Sequence, residues 1–301
     1  MYFKSYKVLW TAFITLFTPY LFASTLETGT LPAQWASWEE DCENMPDHEI
    51  HPYNEDFYII RQSGCLSFEK PFMYLIFGSE KAILFDTGAE ADSSIAEDVF
   101  SIIKEWSEQQ NKDVELIVTH THSHPDHIAG DRQFKNIENV VFVRPSRSAT
   151  KEFFGITEWP TQIVEYDLGD RVIDIIPIPG HDVNSIAVYD RKTGILLTGD
   201  SLLPGNVYVS YGLDLFTEST LRMVNFTKDK PVTHILGAHI NSTVIPFTSY
   251  LIGTKHQPDE HQLQLGRAHL LEQLEALKSM EGKLKAIKLR DFTMCKIYPD
   301  C

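Results

Sequence analysis

The chain has 301 residues, of which 43% are hydrophobic, 12% aromatic and 23% charged, and its formal net charge is -16. That composition supports a packed core and excludes disordered and fibrous classes. The acidity argues against a nucleic-acid partner and against an anionic membrane surface, because both are bound through clustered Lys and Arg, and no such cluster occurs.

Residues 1–24 read as a signal peptide. Lys4 and Lys7 precede an apolar run that reaches Phe22, and the small residues Ala23 and Ser24 follow. The run is short for a membrane span and is interrupted by Pro19. Export to the periplasm or the medium is therefore expected, with no stable membrane span after cleavage. Cys42, Cys65, Cys295 and Cys301 form no CxxC pair, and in an oxidising compartment they read as disulfide staples. Proximity in the chain favours Cys42–Cys65 and Cys295–Cys301, with a link between the chain ends as the alternative.

Residues 25–56 form a polar, proline-containing lead-in with Trp35 and Trp38, and residues 57–301 form the domain. Strands are predicted over 57–60, 73–77 and 82–85, with a hairpin turn at 78–81 and Asp86-Thr87-Gly88 ending the third. A helix follows: Ser94 and Glu97 have capping-box spacing, and Ile95, Val99, Ile102, Ile103 and Trp106 recur at helical intervals. The strand 115–118 runs into a His-rich stretch, after which Ile128-Ala129-Gly130 is placed to begin a helix. A strand is expected at 140–143, while 144–159 has no clear pattern. Further strands are expected at 171–176, 185–189 and 195–198, then a helix at 217–226 and a strand at 232–236. The last helix is expected from Pro258 to Met280, with Leu263, Leu270, Leu271, Leu274 and Leu277 on one face, before a strand-like piece at 285–289. Neither a solenoid repeat nor a linker divides the chain, so one layered α/β domain is expected.

The side chains able to bind a metal cluster where strands give way to loops. His120, His122, His124, Asp126 and His127 lie in one stretch, and His181, Asp200 and His239 each follow a later strand. Such strand ends hold a site on rigid elements, and imidazole and carboxylate groups together suggest a metal, zinc first.

His122-Ser123-His124-Pro125-Asp126-His127 resembles the HxHxDH motif of the metallo-β-lactamase superfamily. Asp86-Thr87-Gly88, Pro179-Gly180-His181, Thr198-Gly199-Asp200 and Gly237-Ala238-His239 resemble its other motifs, in order. The likeness covers roughly Phe57 to His239 and is nearest to the glyoxalase II-like branch. Only a motif starting at His122 supplies the Asp-His pair, so His120 is left to support a ligand or to face solvent. The resemblance implies a four-layer αββα sandwich with a binuclear site. One ion would take His122, His124 and His181, the other Asp126, His127 and His239, with Asp200 between them. An all-nitrogen-and-oxygen set suits two zinc ions, and also iron or manganese. Asp86 would orient a ligand histidine or else cap its turn. His234 is expected at the far end of the strand before His239, and His261 at the start of the last helix, reaching substrate or facing solvent.

The implied chemistry is hydrolysis of an ester-, thioester- or amide-type bond in a small molecule, by a hydroxide made available between the metals. Asp126 would hold the nucleophile, and Tyr208 or Tyr211 would donate to an oxyanion unless simply packed. No basic cluster suits glutathione's carboxylates, which moves weight from a thioester toward a lactam or lactone. The alternatives are a mononuclear iron dioxygenase of the same fold and a non-catalytic metal-binding protein.

Overall fold

A computed structural model describes residues 1–2, 25–36, 42 and 44–296. The expected signal segment beyond Tyr2 lies outside the described residues, as do Trp38 and Cys301. Among the described residues no helix is long and apolar enough to cross a membrane.

The first sheet contains β1 (His48–Asn54), β2 (Phe57–Gln62), β3 (Phe72–Phe77), β4 (Lys81–Phe85), β5 (Glu115–Thr119) and β6 (Val140–Phe142), side by side in chain order. The first four run antiparallel and the last three parallel. β1 comes from the segment read as a lead-in. Pro52 and the polar alternation hid it, and both suit an edge strand, where one side of the backbone has no ladder to satisfy. Between β4 and β5 lies α1 (Ile95–Gln110). Its start departs from the expected capping box: the Ser94 hydroxyl donates to Asp98 Oδ2 at 2.7 Å and makes no bond to the helix backbone. After β5 the helix begins at Pro125, earlier than expected, as the four-residue α2 (Pro125–Ile128), because proline suits a first helical turn. The unassigned stretch contains α3 (Arg147–Phe154), capped by Ser146.

The second sheet opens with a meander of β7 (Val164–Asp167), β8 (Val172–Pro177), β9 (Ile186–Asp190) and β10 (Ile195–Gly199). The chain then places β11 (Asn206–Tyr208) in a small third sheet, forms α4 (Leu213–Phe226), and returns with β12 (His234–Gly237) parallel to β10. β13 (Gln264–Leu265) pairs antiparallel with β12. α5 (Arg267–Ser279) is shorter than expected: residues 258–266 are not helical, so the apolar Leu263 belongs to the approach to β13. β14 (Ile287–Lys288) and β15 (Thr293–Cys295) complete the third sheet beside β11.

Period-two alternation sorts the strand residues into layers. On β4, Ile83 and Phe85 face the second sheet, meeting Ile175, Val188 and Leu197 in one core, while Ala82 and Leu84 face the other way onto Ile95, Val99 and Trp106 of α1. On the second sheet, Ile176, Leu196 and Ile235 face outward onto Phe216 and Met223 of α4 and Leu270 and Leu277 of α5. The result is the four-layer αββα sandwich. Both faces of each sheet are covered, which is why the strands read as continuous apolar runs. Arg171 ties the sheets: it is buried against Asp190 through two bonds of 3.0 and 2.6 Å and donates across to the carbonyls of Asp56 and Phe77.

The Cys42–Cys65 disulfide is present. Cys295 is disulfide-bonded, and the expected partner Cys301 lies outside the described residues.

Candidate metal centre

β4 and β5 are parallel, β10 and β12 are parallel, and β8 runs with β10 because each is antiparallel to β9. Their carboxyl ends deliver Asp86, the 120–127 stretch, His181, Asp200 and His239 to one rim. Two glycines permit the approach. Gly199 has φ +50, and a Cβ there would lie 2.9 Å from Thr121 Cβ. Gly180 has φ +150, and a Cβ there would lie 2.7 Å from Phe216 Cα.

All seven residues named by the resemblance come together. His122, His124 and His181 form one group with mutually close ligand atoms, and Asp126, His127, Asp200 and His239 form another. In the first, His181 Nε2 lies 3.0 Å from His124 Nδ1. In the second, His239 Nε2 lies 3.2 Å from both His127 Nε2 and Asp126 Oδ2. Asp200 divides its carboxylate between them. Its Oδ2 is 3.4 Å from His181 Nε2 and 3.9 Å from His122 Nε2, while its Oδ1 is 3.5 Å from the Nε2 atoms of both His127 and His239.

The residues fit a pair of divalent ions. Tetrahedral coordination at about 2.0–2.1 Å separates ligand atoms by roughly 3.3–3.4 Å, close to the spacings seen. His122 Nε2 and Asp200 Oδ1 are buried without a hydrogen-bond partner, a costly arrangement that a cation would satisfy. Burial holds the His122 ring well toward the neutral, lone-pair-bearing form and shifts His181 in the same direction. Burial also disfavours charge on His127 and His239, but the Asp126 and Asp200 carboxylates outweigh it: His127 is raised well above its usual value and His239 to about 9. For Asp126 and Asp200 burial works toward protonation, and the neighbouring histidines overcome it and keep both carboxylates ionised.

Outer contacts orient the rings. His127 Nδ1 bonds to Asp86 Oδ2 at 2.9 Å. Asp86 also accepts from Thr121 N and Thr121 Oγ1, each at 2.7 Å, and Thr121 Oγ1 lies 3.1 Å from His122 Nδ1. Asp86 therefore serves as an orienting group and not only as a turn residue. His181 Nδ1 meets the Tyr208 carbonyl at 3.1 Å, and His239 Nδ1 meets the Glu69 carbonyl at 2.8 Å. Such partners fix which ring nitrogen faces a metal. Sequence reasoning missed Thr121, Glu69 and Asp182. Glu69 and Tyr208 act here through backbone carbonyls, which carry no residue signature. Buried Asp182 accepts from Ser123 N at 2.9 Å and from Ser123 Oγ, pinning the turn between His122 and His124.

The other histidines lie apart from the ligand groups. His120 is buried, not solvent-facing, and bonds to Asp131 Oδ1 at 2.7 Å, which also takes the Thr87 hydroxyl at 2.9 Å. His234 starts β12, at the opposite end from His239, with its ring edge-on to Tyr53. His261 precedes α5 and pairs with Asp291 at 3.2 Å, outside the cavity.

A cavity of about 480 Å³ opens over the cluster, floored by His124, Asp126, His181, Asp200 and His239. Tyr208 and Tyr211 both line it. Tyr208 is half-buried, and burial raises its pKa, so its hydroxyl stays a donor near neutral pH. Tyr211 sits at the exposed rim.

Comparison with known proteins agrees with this arrangement. The sequence profile of the Metallo-beta-lactamase superfamily matches residues 67–239, more than half the chain. An acyl-coenzyme A thioesterase, MBLAC2 of Bos taurus, is 24% identical over 204 residues, covering 56% of this chain and 73% of the relative. A hydroxyacylglutathione hydrolase of Synechococcus is 29% identical over 141 residues, covering 44% of this chain and 50% of the relative. Among solved structures, a metallo-beta-lactamase from Pontibacter korlensis superposes with a TM-score of 0.50 at 15% identity, covering 77% of this chain and 99% of that one. At that identity the likeness concerns the fold.

Proposed function

The chain belongs to the metallo-β-lactamase superfamily, and from that premise we propose that it is a binuclear metal-dependent hydrolase of an ester-, thioester- or amide-type bond in a small molecule. The division of the Asp200 carboxylate between two complete ligand groups carries this reading. His122, His124 and His181 would hold one ion, Asp126, His127 and His239 the other, and Asp200 both. Zinc suits this set best. The named relatives, an acyl-coenzyme A thioesterase and a hydroxyacylglutathione hydrolase, support the reaction class.

Bound ions would supply hydroxide near neutral pH and polarise the substrate carbonyl. The chain's own residues do the rest. Asp126 lines the cavity with one oxygen turned toward His127 and His239, so its ionised carboxylate can orient the attacking group. Tyr208, fixed beside His181 through its own backbone, is placed to donate to a developing oxyanion. The more exposed Tyr211 would contact substrate at the rim. Asp86 and Thr121 keep His127 and His122 presenting Nε2 inward. The Cys42–Cys65 disulfide supports placement in an oxidising, exported compartment.

The test is a panel of chromogenic lactam, lactone and thioester substrates against the purified protein and Asp126→Ala. Hydrolysis of at least one class, abolished by chelator and lowered about a hundredfold or more by the substitution, is expected. Oxygen consumption with about one iron per chain, and no hydrolysis, would favour the dioxygenase reading instead.

A further inference from the structure

The segment after His239 forms one side of the cavity mouth and is unusual in what it exposes. Val244, Ile245 and Phe247 are 60%, 61% and 59% exposed, and Leu251 and Ile252 are 82% and 43% exposed. Leu251 and Ile252 line the cavity itself, as does Phe68, which is 37% exposed. The backbone that carries them is held in place. Thr243 N donates to Thr248 O at 2.9 Å, Tyr250 N to Asn241 O at 2.8 Å and Phe247 N to Arg290 O at 2.9 Å. Behind it, the buried Lys70 donates to the Lys255 carbonyl at 3.2 Å and to Glu260 at 2.8 Å, and Glu260 also takes Arg61 at 2.6 Å. A fixed segment that keeps several large apolar side chains in water beside an active-site mouth marks a binding surface.

The cavity lining narrows the occupant. Among the described residues it includes no Lys or Arg. Beyond the floor the described lining therefore offers no cationic side chain to a carboxylate or phosphate on the distal part of a substrate, and Glu69 adds a carboxylate of its own. The lining offers instead apolar side chains, Leu203 and Ile240 buried within and Leu251 and Ile252 exposed at the lip.

We propose that Phe68, Leu251 and Ile252 seat an uncharged apolar chain of the substrate while its reactive carbonyl reaches the floor. The proposal rests on the hydrolase reading for what happens at the floor, but the seat itself is tested without turnover.

The experiment measures binding of straight-chain primary alcohols, butanol through decanol, to the full-length protein as purified, by calorimetry. These alcohols contain no hydrolysable bond. Affinity should rise about two- to fourfold per added methylene, the range set by burying each methylene partly or fully. Leu251→Ser and Ile252→Ser should flatten that dependence, whereas Leu221→Ser, exposed on α4 away from the cavity, should preserve it. No dependence on chain length in the parent protein, or an equal dependence in all three variants, would overturn the seat. So would attachment to phosphatidylcholine vesicles through Leu251 and Ile252 with no chain-length dependence for the alcohols, since the lip would then face a membrane. An inactive protein that still shows the dependence retains the seat and refutes the hydrolase reading; an active one without it does the reverse.

Discussion

Replacing Asp86 by Asn should weaken one metal position far more than the other. Asp86 Oδ1 accepts from Thr121 N, and Oδ2 accepts from Thr121 Oγ1 and faces His127 Nδ1 at 2.9 Å. The backbone at Asp86 has φ +71, a conformation that Asn adopts at least as readily, so the substitution introduces no backbone strain. With the amide oxygen kept on Thr121 N, the NH2 group points at His127 Nδ1. That nitrogen must then accept, which moves the ring proton to Nε2, the atom facing Asp126, Asp200 and His239. A buried, charge-assisted bond of this kind contributes about 1.5–3 kcal/mol, and outer partners of metal ligands cost roughly ten- to hundredfold in affinity when removed. The His127 position should lose that factor. The His122 position, reached only through Thr121 Oγ1 at 3.1 Å, should change less than about threefold. Competition titration with a chromophoric chelator resolves the two constants, with a thermal melt to confirm folding. Equal losses at both positions, or none at either, would refute the reasoning.

The stabilisation by zinc should grow with pH. In protein freed of metal, His239 is raised to about 9 from 6.5, so its proton contributes stability that is fully present below 6.5 and lost as pH rises through about 9. A metal replaces that proton, so the thermal shift on adding zinc should increase across this window; a flat or falling shift would contradict the assignment of His239. Glu260→Gln removes the counter-charge that buried Arg61 and Lys70 share among the described residues and should lower the unfolding free energy in urea by about 3–5 kcal/mol; a loss below about 1 kcal/mol would show that the cluster is not holding the 241–263 segment. Tyr208→Phe should reduce kcat by about ten- to a thousandfold with little change in KM, as expected for a donor used in the transition state; a change confined to KM would assign Tyr208 to substrate binding alone.

The candidate ligand groups were legible because each member is a chemically distinctive residue at a strand end, and strand ends are marked by the switch from β-branched runs to Gly, Pro and polar residues. For Asp86 the sequence left the orienting and turn-capping roles open; the 2.9 Å contact to His127 favours the first. Backbone partners such as the Glu69 carbonyl were illegible, since any residue supplies one. The fold's layers followed from apolar runs buried on both faces. β1 escaped because Pro52 and alternating polar residues suit an edge but weaken the strand pattern. The third sheet escaped because β11 pairs with β15 across more than eighty residues of sequence, through strands of three residues each. The start of α5 was read too early because Leu263 fits the helical stripe, whereas it packs in the core between the sheets.

Asp200 is proposed to join two metal positions. Elemental analysis of the purified full-length protein by inductively coupled plasma mass spectrometry tests it most directly. About two divalent ions per chain are expected, zinc foremost, falling to about one or fewer in Asp200→Ala. A parent protein that holds about one ion under metal-replete conditions, with the same content in Asp200→Ala, would contradict it.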